Sequence, residues 1–268
     1  MSRIRVSIMA ENLIRTETNP MKIAFVYDAV YPYVKGGVEK REWELALRLI
    51  ARGHEVHVFG MKFWDGDDHM EREGVHLHGV CHHQHLYTGG RRSIGEAIWF
   101  SIRLIPHLFR EDFDIIDCQQ FPYFPCFSVK FVAILKRTPL VFTWIEVWGD
   151  YWYEYLGIAG WIGKSLESWI ARFKNPTIAI SYFTARRLCA TYDVKVETVI
   201  PVGIDWAALQ SISPAAEQTD VIFVGRLIRE KNADLLVKAT RILMDTNPEI
   251  RVIIVGEGPA RKNCISYS

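Results

Sequence analysis

Short runs of β-branched and aromatic residues alternate along this chain with stretches of helical periodicity. That rhythm confines the fold to β/α units wound around a parallel sheet. KIAFVYD (Lys22–Asp28) is the first strand, and Val38–Arg52 follows as a helix with Trp43, Ala46, Leu47 and Ile50 on one face. Gly53 stands where a helix C-terminus favours glycine. HEVHVFG (His54–Gly60) and GVHLHGV (Gly74–Val80) read as the next strands, and Ile94–Arg110 as a helix that Pro106 kinks or shortens. FDIIDCQ (Phe113–Gln119), a helix at Phe124–Lys136, PLVFTWI (Pro139–Ile145) and a helix at Gly160–Phe173 continue the pattern. PTIAIS (Pro176–Ser181), a short helix around Thr184–Ala190 and VETVIP (Val196–Pro201) complete a doubly wound domain.

A polar connector, QSISPAAEQT (Gln210–Thr219), interrupts the rhythm, which then restarts with DVIFVG, a helix over Ala233–Met244, and IRVIIVG. The division expected is therefore an N-terminal extension (1–20), disordered, then a first domain (21–204), a linker (205–219) and the start of a second domain (220–268). One βαβ unit leaves broad apolar faces uncovered and is too small to fold well alone. With 49% apolar residues the chain has ample material for a core, and its net charge of +1 gives no reason to expect a nucleic-acid partner. Five scattered cysteines without a C-x-x-C pair fit reduced thiols, hence a cytoplasmic location. No apolar run approaches the roughly 18 residues of a membrane span.

Two places carry the residues for anion binding. Gly36 and Gly37 precede a helix after a long loop, where free N–H groups favour a phosphate and glycine lets it approach. A tight turn is the plainer explanation. The glycines come too late after the strand for a dinucleotide fingerprint, and the second strand ends in VFGM without an acid. A nicotinamide-dependent oxidoreductase is therefore disfavoured. Farther on, Gly225 and Arg226 end a strand and Lys231 opens the next helix, at the sheet edge where α/β folds bind ligands. Arg and Lys there suit a diphosphate, one as a fork and one as a point charge; solvated surface charge is the alternative.

Taken in order, GGVE after the first strand, VIPVGID (Val199–Asp205), VGRLIREK (Val224–Lys231) and VGEGP (Val255–Pro259) resemble the retaining GT-B glycosyltransferases of the large family-four group. The resemblance covers Met21 to about Pro259. It implies a GT-B α/β fold, with one complete Rossmann-like doubly wound parallel-sheet domain on the acceptor side and an incomplete Rossmann-like domain that holds the donor. It implies transfer of a sugar from a nucleotide diphosphate sugar to a glycan or lipid-linked acceptor with retention, without a metal or other cofactor. Gly36, Gly37, Gly225, Arg226, Lys231, Gly256 and Gly258 are the donor- or phosphate-binding positions it carries over. After GEGP the family continues with further strands and a glutamate-rich segment, so the chain is expected to be C-terminally truncated and inactive as given. A vestigial or glycan-binding protein without catalysis is the alternative.

The family's T-x-H pattern after the fifth strand reads Thr143-Trp144-Ile145-Glu146 here. Ile145 occupies the histidine position and donates no hydrogen bond; Glu146 is a candidate to replace part of that contact, and no catalytic residue is otherwise assigned. VHLHGVCHHQH (Val75–His85) invites a metal reading, but ligands from a second element are missing and the run alternates as a strand, so no metal is assigned. EVWGDYWYEYLGIAGW (Glu146–Trp161) reads as an aromatic loop: an acceptor platform, a peripheral contact to a membrane interface, or a lid packed on the domain. Arg91 and Arg92 beside Gly89 and Gly90 suggest a mobile basic loop or a solvated turn.

Overall fold

A computed structural model of the protein describes residues 19–83, 87–88, 91–216, 218–228 and 231–261. The expected extension lies almost wholly outside them, as do Gly89, Gly90 and the residues after Arg261. The described residues form two compact units, divided after Gly203; the short ribbon at 87–88 and 91–92 groups with the second.

The first unit is built on an eight-stranded sheet. Its strands are β1 (Lys22–Val26), β2 (Glu55–Lys62), β3 (His69–Arg72), β4 (Val75–His82), β7 (Ile115–Gln119), β8 (Leu140–Trp144), β9 (Thr177–Ala179) and β10 (Thr198–Val199). The two-residue pair β5 (Tyr87–Thr88) and β6 (Arg91–Arg92) stands apart from it as an antiparallel ribbon. The sheet order is β10-β9-β8-β7-β1-β2-β4-β3. Every neighbouring pair is parallel except the last, where His69 pairs with His78 and Arg72 with Val75 in an antiparallel edge. That edge strand is a departure from the wholly parallel sheet expected. HMER has no β-branched residue and is held by its partner strand rather than by propensity.

Helix α1 (Gly37–Ile50) covers one face, where Trp43 and Ala46 pack on Phe25, Val56, Val58 and Leu77. The other face carries α2 (Ile94–Phe109), α3 (Phe124–Lys136), α5 (Gly160–Ala171) and α6 (Tyr182–Tyr192). Phe100, Leu104, Leu108, Val129, Val132, Ile170 and Leu188 from these helices close over Phe59, Ile116 and Phe142. Two layers of helix around a sheet buried on both faces explain why its strands read as continuous apolar runs. Pro106 lies within the last turn of α2, and the helix runs through it. The expected aromatic loop is partly helical: α4 (Tyr151–Leu156) and a 3₁₀ turn at Gly157–Ala159 lead into α5.

In the second unit α7 (Trp206–Gln210) occupies the start of the expected linker, with Asp205 capping it by accepting from Ala208 N–H. Then β11 (Val221–Val224), α8 (Ala233–Leu243) and β12 (Val252–Val255) form a βαβ unit with parallel strands in register from Val221–Val252 to Val224–Val255. Leu227 and Ala233 are its buried centre, packed on by Phe223, Val237 and Ile254. The alternate residues Ile222, Val224, Ile253 and Val255 are exposed.

Candidate functional site

The C-terminal ends of parallel strands are where an open α/β sheet places its ligands. In the first unit that edge collects the start of α1, the ends of β7 and β8, and the loop from Ile145 to Asp150. Gly36 is the N-cap of α1 in extended conformation, without a side-chain cap. A Cβ on Gly36 would run into the Glu39 carboxylate, whereas one on Gly37 would meet nothing within 4 Å. At Gly36 a side chain would displace the Glu39 carboxylate from the start of the helix. Gly37 stands beside open space at a helix N-terminus, the geometry an anion would use.

Beneath α1 lies a group of buried polar side chains that the motifs did not flag. Glu42 is 2% exposed and Gln119 is 1% exposed. Glu42 Oε1, Arg41 Nη1 and both polar atoms of Gln119 have no hydrogen-bond partner among the described residues. Burial, with the neighbouring Asp117 second, pushes the Glu42 carboxyl well above its ordinary range. Asp117 on β7 accepts from the Thr143 hydroxyl at 2.7 Å, and burial raises it to about 6 against the pull of that bond. Gln119 and Arg41 nevertheless lie close enough to the Glu42 carboxyl to draw it back down, so this is a buried polar cluster that partly answers itself. A signal was present in the sequence: Glu39 and Glu42 extend the Trp43–Ala46 stripe backwards by one turn, so both point inward.

The loop after β8 is held through its backbone. Gln120 Oε1 accepts from Ile145 N–H at 3.0 Å, its Nε2 donates to the Glu146 carbonyl at 3.1 Å, and the Thr184 hydroxyl donates to the Ile145 carbonyl at 3.1 Å. Ile145 is half-buried and Glu146 exposed. Just beyond them, Trp148 and Gly149 are pinned by Glu167 of α5, which is fully buried. Its Oε1 accepts from Trp148 N–H at 2.8 Å and Tyr123 O–H at 3.0 Å. Its Oε2 accepts from Gly149 N–H at 2.8 Å, Tyr192 O–H at 2.6 Å and the Trp152 indole at 3.3 Å. Two backbone and three side-chain donors on one carboxylate fix the loop that carries Ile145 and Glu146.

In the second unit Gly225, Arg226 and Lys231 all lie on the segment between β11 and α8, with both cations exposed. Gly256 and Gly258 follow β12, and both sit in sterically tight positions. A Cβ on Gly256 would overlap the Gly225 carbonyl, and one on Gly258, whose φ is +152°, would overlap the Leu227 carbonyl. Leu227 N–H donates to the Glu257 carbonyl at 2.8 Å and Ala260 N–H to the Leu227 carbonyl at 2.9 Å. The two glycines let the segment after β12 lie against the one that carries Arg226. Within this unit the motifs VGRLIREK and VGEGP therefore form one structure. Gly36, Gly37, Ile145 and Glu146 belong to the first unit.

Comparison with known proteins agrees with this division. The model of the family described as Glycosyltransferase Family 4 matches residues 35–207, and that of Glycosyl transferases group 1 matches residues 206–268. A subunit of phosphatidylinositol N-acetylglucosaminyltransferase from Homo sapiens is 26% identical over 261 residues, 92% of this chain and 50% of its own length. Sucrose-phosphate synthase from Thermosynechococcus elongatus has a similar structure at a TM-score of 0.66 and 17% identity, covering 92% of this chain and 65% of that one. An E. coli structure described as trehalose-6-phosphate bound with UDP-2-fluoro glucose has a TM-score of 0.59 at 12% identity, covering 92% and 66%. The chain spans about half the length of the human relative it matches.

Proposed function

The chain belongs to glycosyltransferase family 4, and from that premise we propose that it takes part in retaining transfer of a sugar from a nucleoside diphosphate sugar to a glycan or lipid-linked acceptor. One observation carries this reading: the two family matches overlap at residues 206–207 and between them run through both units. The first unit serves the acceptor and the second the donor. Breaking the sugar–phosphate bond gathers negative charge on the departing diphosphate. Arg226 and Lys231 of the second unit neutralise it, and no metal is required. Such donors commonly contribute a few kcal/mol each to barrier lowering. In the first unit, considered by itself, the α1 N-terminus beside Gly37 has N–H groups suited to an anion.

Calorimetric titration with a panel of nucleoside diphosphate sugars tests the donor assignment. One of them is expected to bind, and Arg226→Ala to weaken it about tenfold or more through loss of a charged fork. Absence of binding by every member would sink the assignment. Ile145 in place of the family's histidine favours a second reading, a glycan-binding protein without catalysis. A response to acceptor glycans alone, with none to nucleotide sugars, selects that one.

A lipid-linked acceptor also calls for access to a membrane. No helix among the described residues is long and apolar enough to cross one. We propose peripheral contact through the outer faces of α2, α3 and α5. Trp99, Ile102, Phe131, Ile134, Leu135 and Trp169 are each more than half exposed there, with the exposed Arg103 and Arg172 among them. Aromatic and aliphatic side chains interleaved with cations suit an anionic lipid interface. Co-sedimentation with phosphatidylserine-containing vesicles should detect binding, and Trp99→Ser with Trp169→Ser should reduce it about tenfold. Unchanged sedimentation of the double variant would remove this face from consideration.

A further inference from the structure

The strands of the first unit have a second cluster of chemistry-bearing side chains, at the end opposite to the transfer site. Lys22, Glu55, His57, His76 and His78 stand at or near the starts of β1, β2 and β4, and Glu111 lies just before β7. In sequence the histidines of Val75–His82 lacked ligands from another element. The register provides them: His57 pairs with His76, and Phe59 with His78. The rings of His57, His76, His78 and His69 form a layer across three strands, with centroids 4.6 to 5.6 Å apart in the close pairs. Phe59 stacks on His78 at 4.3 Å and Phe113 meets His57 edge-on at 5.3 Å, so the layer is walled by apolar rings.

We propose that His57, His78 and Glu111 form a binding site for a zinc-like divalent transition-metal ion. One ligand atom from each lies within 4.8 Å of the other two. His57 Nδ1 is 2.7 Å from His78 Nε2 and 3.6 Å from Glu111 Oε2, while Glu111 Oε1 is 3.9 Å from His78 Nε2. Zinc–nitrogen bonds of about 2.0–2.1 Å in a tetrahedral site set the two nitrogens about 3.3 Å apart. The imidazoles therefore need to part by only about 0.6 Å to admit the ion.

The protonation pattern favours a cation. His57 Nδ1 accepts from His78 Nε2–H across 2.7 Å, a proton that metal binding displaces, and Glu55 Oε1, 2.7 Å from His57 Nε2, accepts the proton on that nitrogen. This is the carboxylate–histidine arrangement that orients metal-bound imidazoles elsewhere. Two carboxylates face the single ammonium of Lys22, 2.7 Å from Glu111 Oε2 and 3.0 Å from Glu55 Oε1. That leaves one negative charge beside the two imidazoles, with Glu111 Oε1 3.9 Å from His78 Nε2. His76 Nδ1, the neighbouring orphan, has no hydrogen-bond partner among the described residues. Three protein ligands leave a position for water. At this end of the strands the ion braces the β1–β2–β4 edge and takes no part in transfer.

The full chain, freed of metal with a chelator, can be titrated with Zn²⁺ against a chromophoric chelator and with Co²⁺ followed by visible absorption. One equivalent of Zn²⁺ should bind, with intense cobalt bands of a four-coordinate N/O site. His78→Gln should weaken binding about 100-fold and Glu111→Gln about tenfold, with His83→Gln as an unaffected control. If His78→Gln does not fold, Glu111→Gln at a partly exposed carboxylate gives the same discrimination. Failure to bind an equivalent, or binding unchanged in Glu111→Gln and His78→Gln, would overturn the site.

Discussion

Replacing Glu167 by leucine is expected to cost the protein about 3–5 kcal/mol of stability, at the upper end of what single substitutions do. The carboxylate receives five donors, and all five would be left inside a closed environment with nothing to accept them. Tyr123, Trp152 and Gly149 are themselves buried, so water cannot readily take over. Glutamine in the same place keeps one acceptor oxygen and should lose about 2 kcal/mol. Urea denaturation followed by tryptophan fluorescence reads this directly, because Trp148 and Trp152 are both partners. A leucine variant within about 1 kcal/mol of the native protein would mean the five bonds are not coupled to folding.

Stability should fall as pH rises from about 4 to 7 through Asp117. In the unfolded chain its carboxyl titrates near 3.8, and in the folded protein at about 6. Between those values the folded state keeps a proton that the unfolded state has released. Its contribution is complete below 3.8 and is lost as pH passes through about 6. A shift of about two units corresponds to at most about 3 kcal/mol. Glu42, raised by the same burial, acts in the same direction. Asp117→Asn still accepts from Thr143 but carries no titrating proton, so its stability should depend less steeply on pH. Parallel stability–pH curves for the two proteins would contradict this assignment.

The strand-and-helix order could be read from the sequence because fully buried parallel strands advertise themselves as apolar runs. Phe124–Lys136 was legible to the residue. The edge strand β3 was not, since His69–Arg72 forms only because Val75–His78 is there to pair with. α4 was hidden by its aromatic content, which reads as surface loop until Trp148, Trp152 and Tyr155 are seen packed on one another. In the site, the glycine motifs drew attention to the backbone. Glu42 and Glu167 escaped because an acid inside a helix usually faces water. Their positions held the clue: Gly160, Gly163, Glu167, Ile170 and Ala171 are one buried stripe of α5. A charged residue in such a stripe must find partners elsewhere in the chain, and those lie 15 to 44 positions away.

The grip on Ile145 has a consequence for ancestry. Gln120 and Thr184 hold its peptide groups and leave its side chain unclaimed. A lineage can therefore exchange isoleucine for histidine at this spot, or the reverse, without rebuilding the surrounding scaffold. The local architecture at this spot is thus indifferent to which of the two side chains stands there.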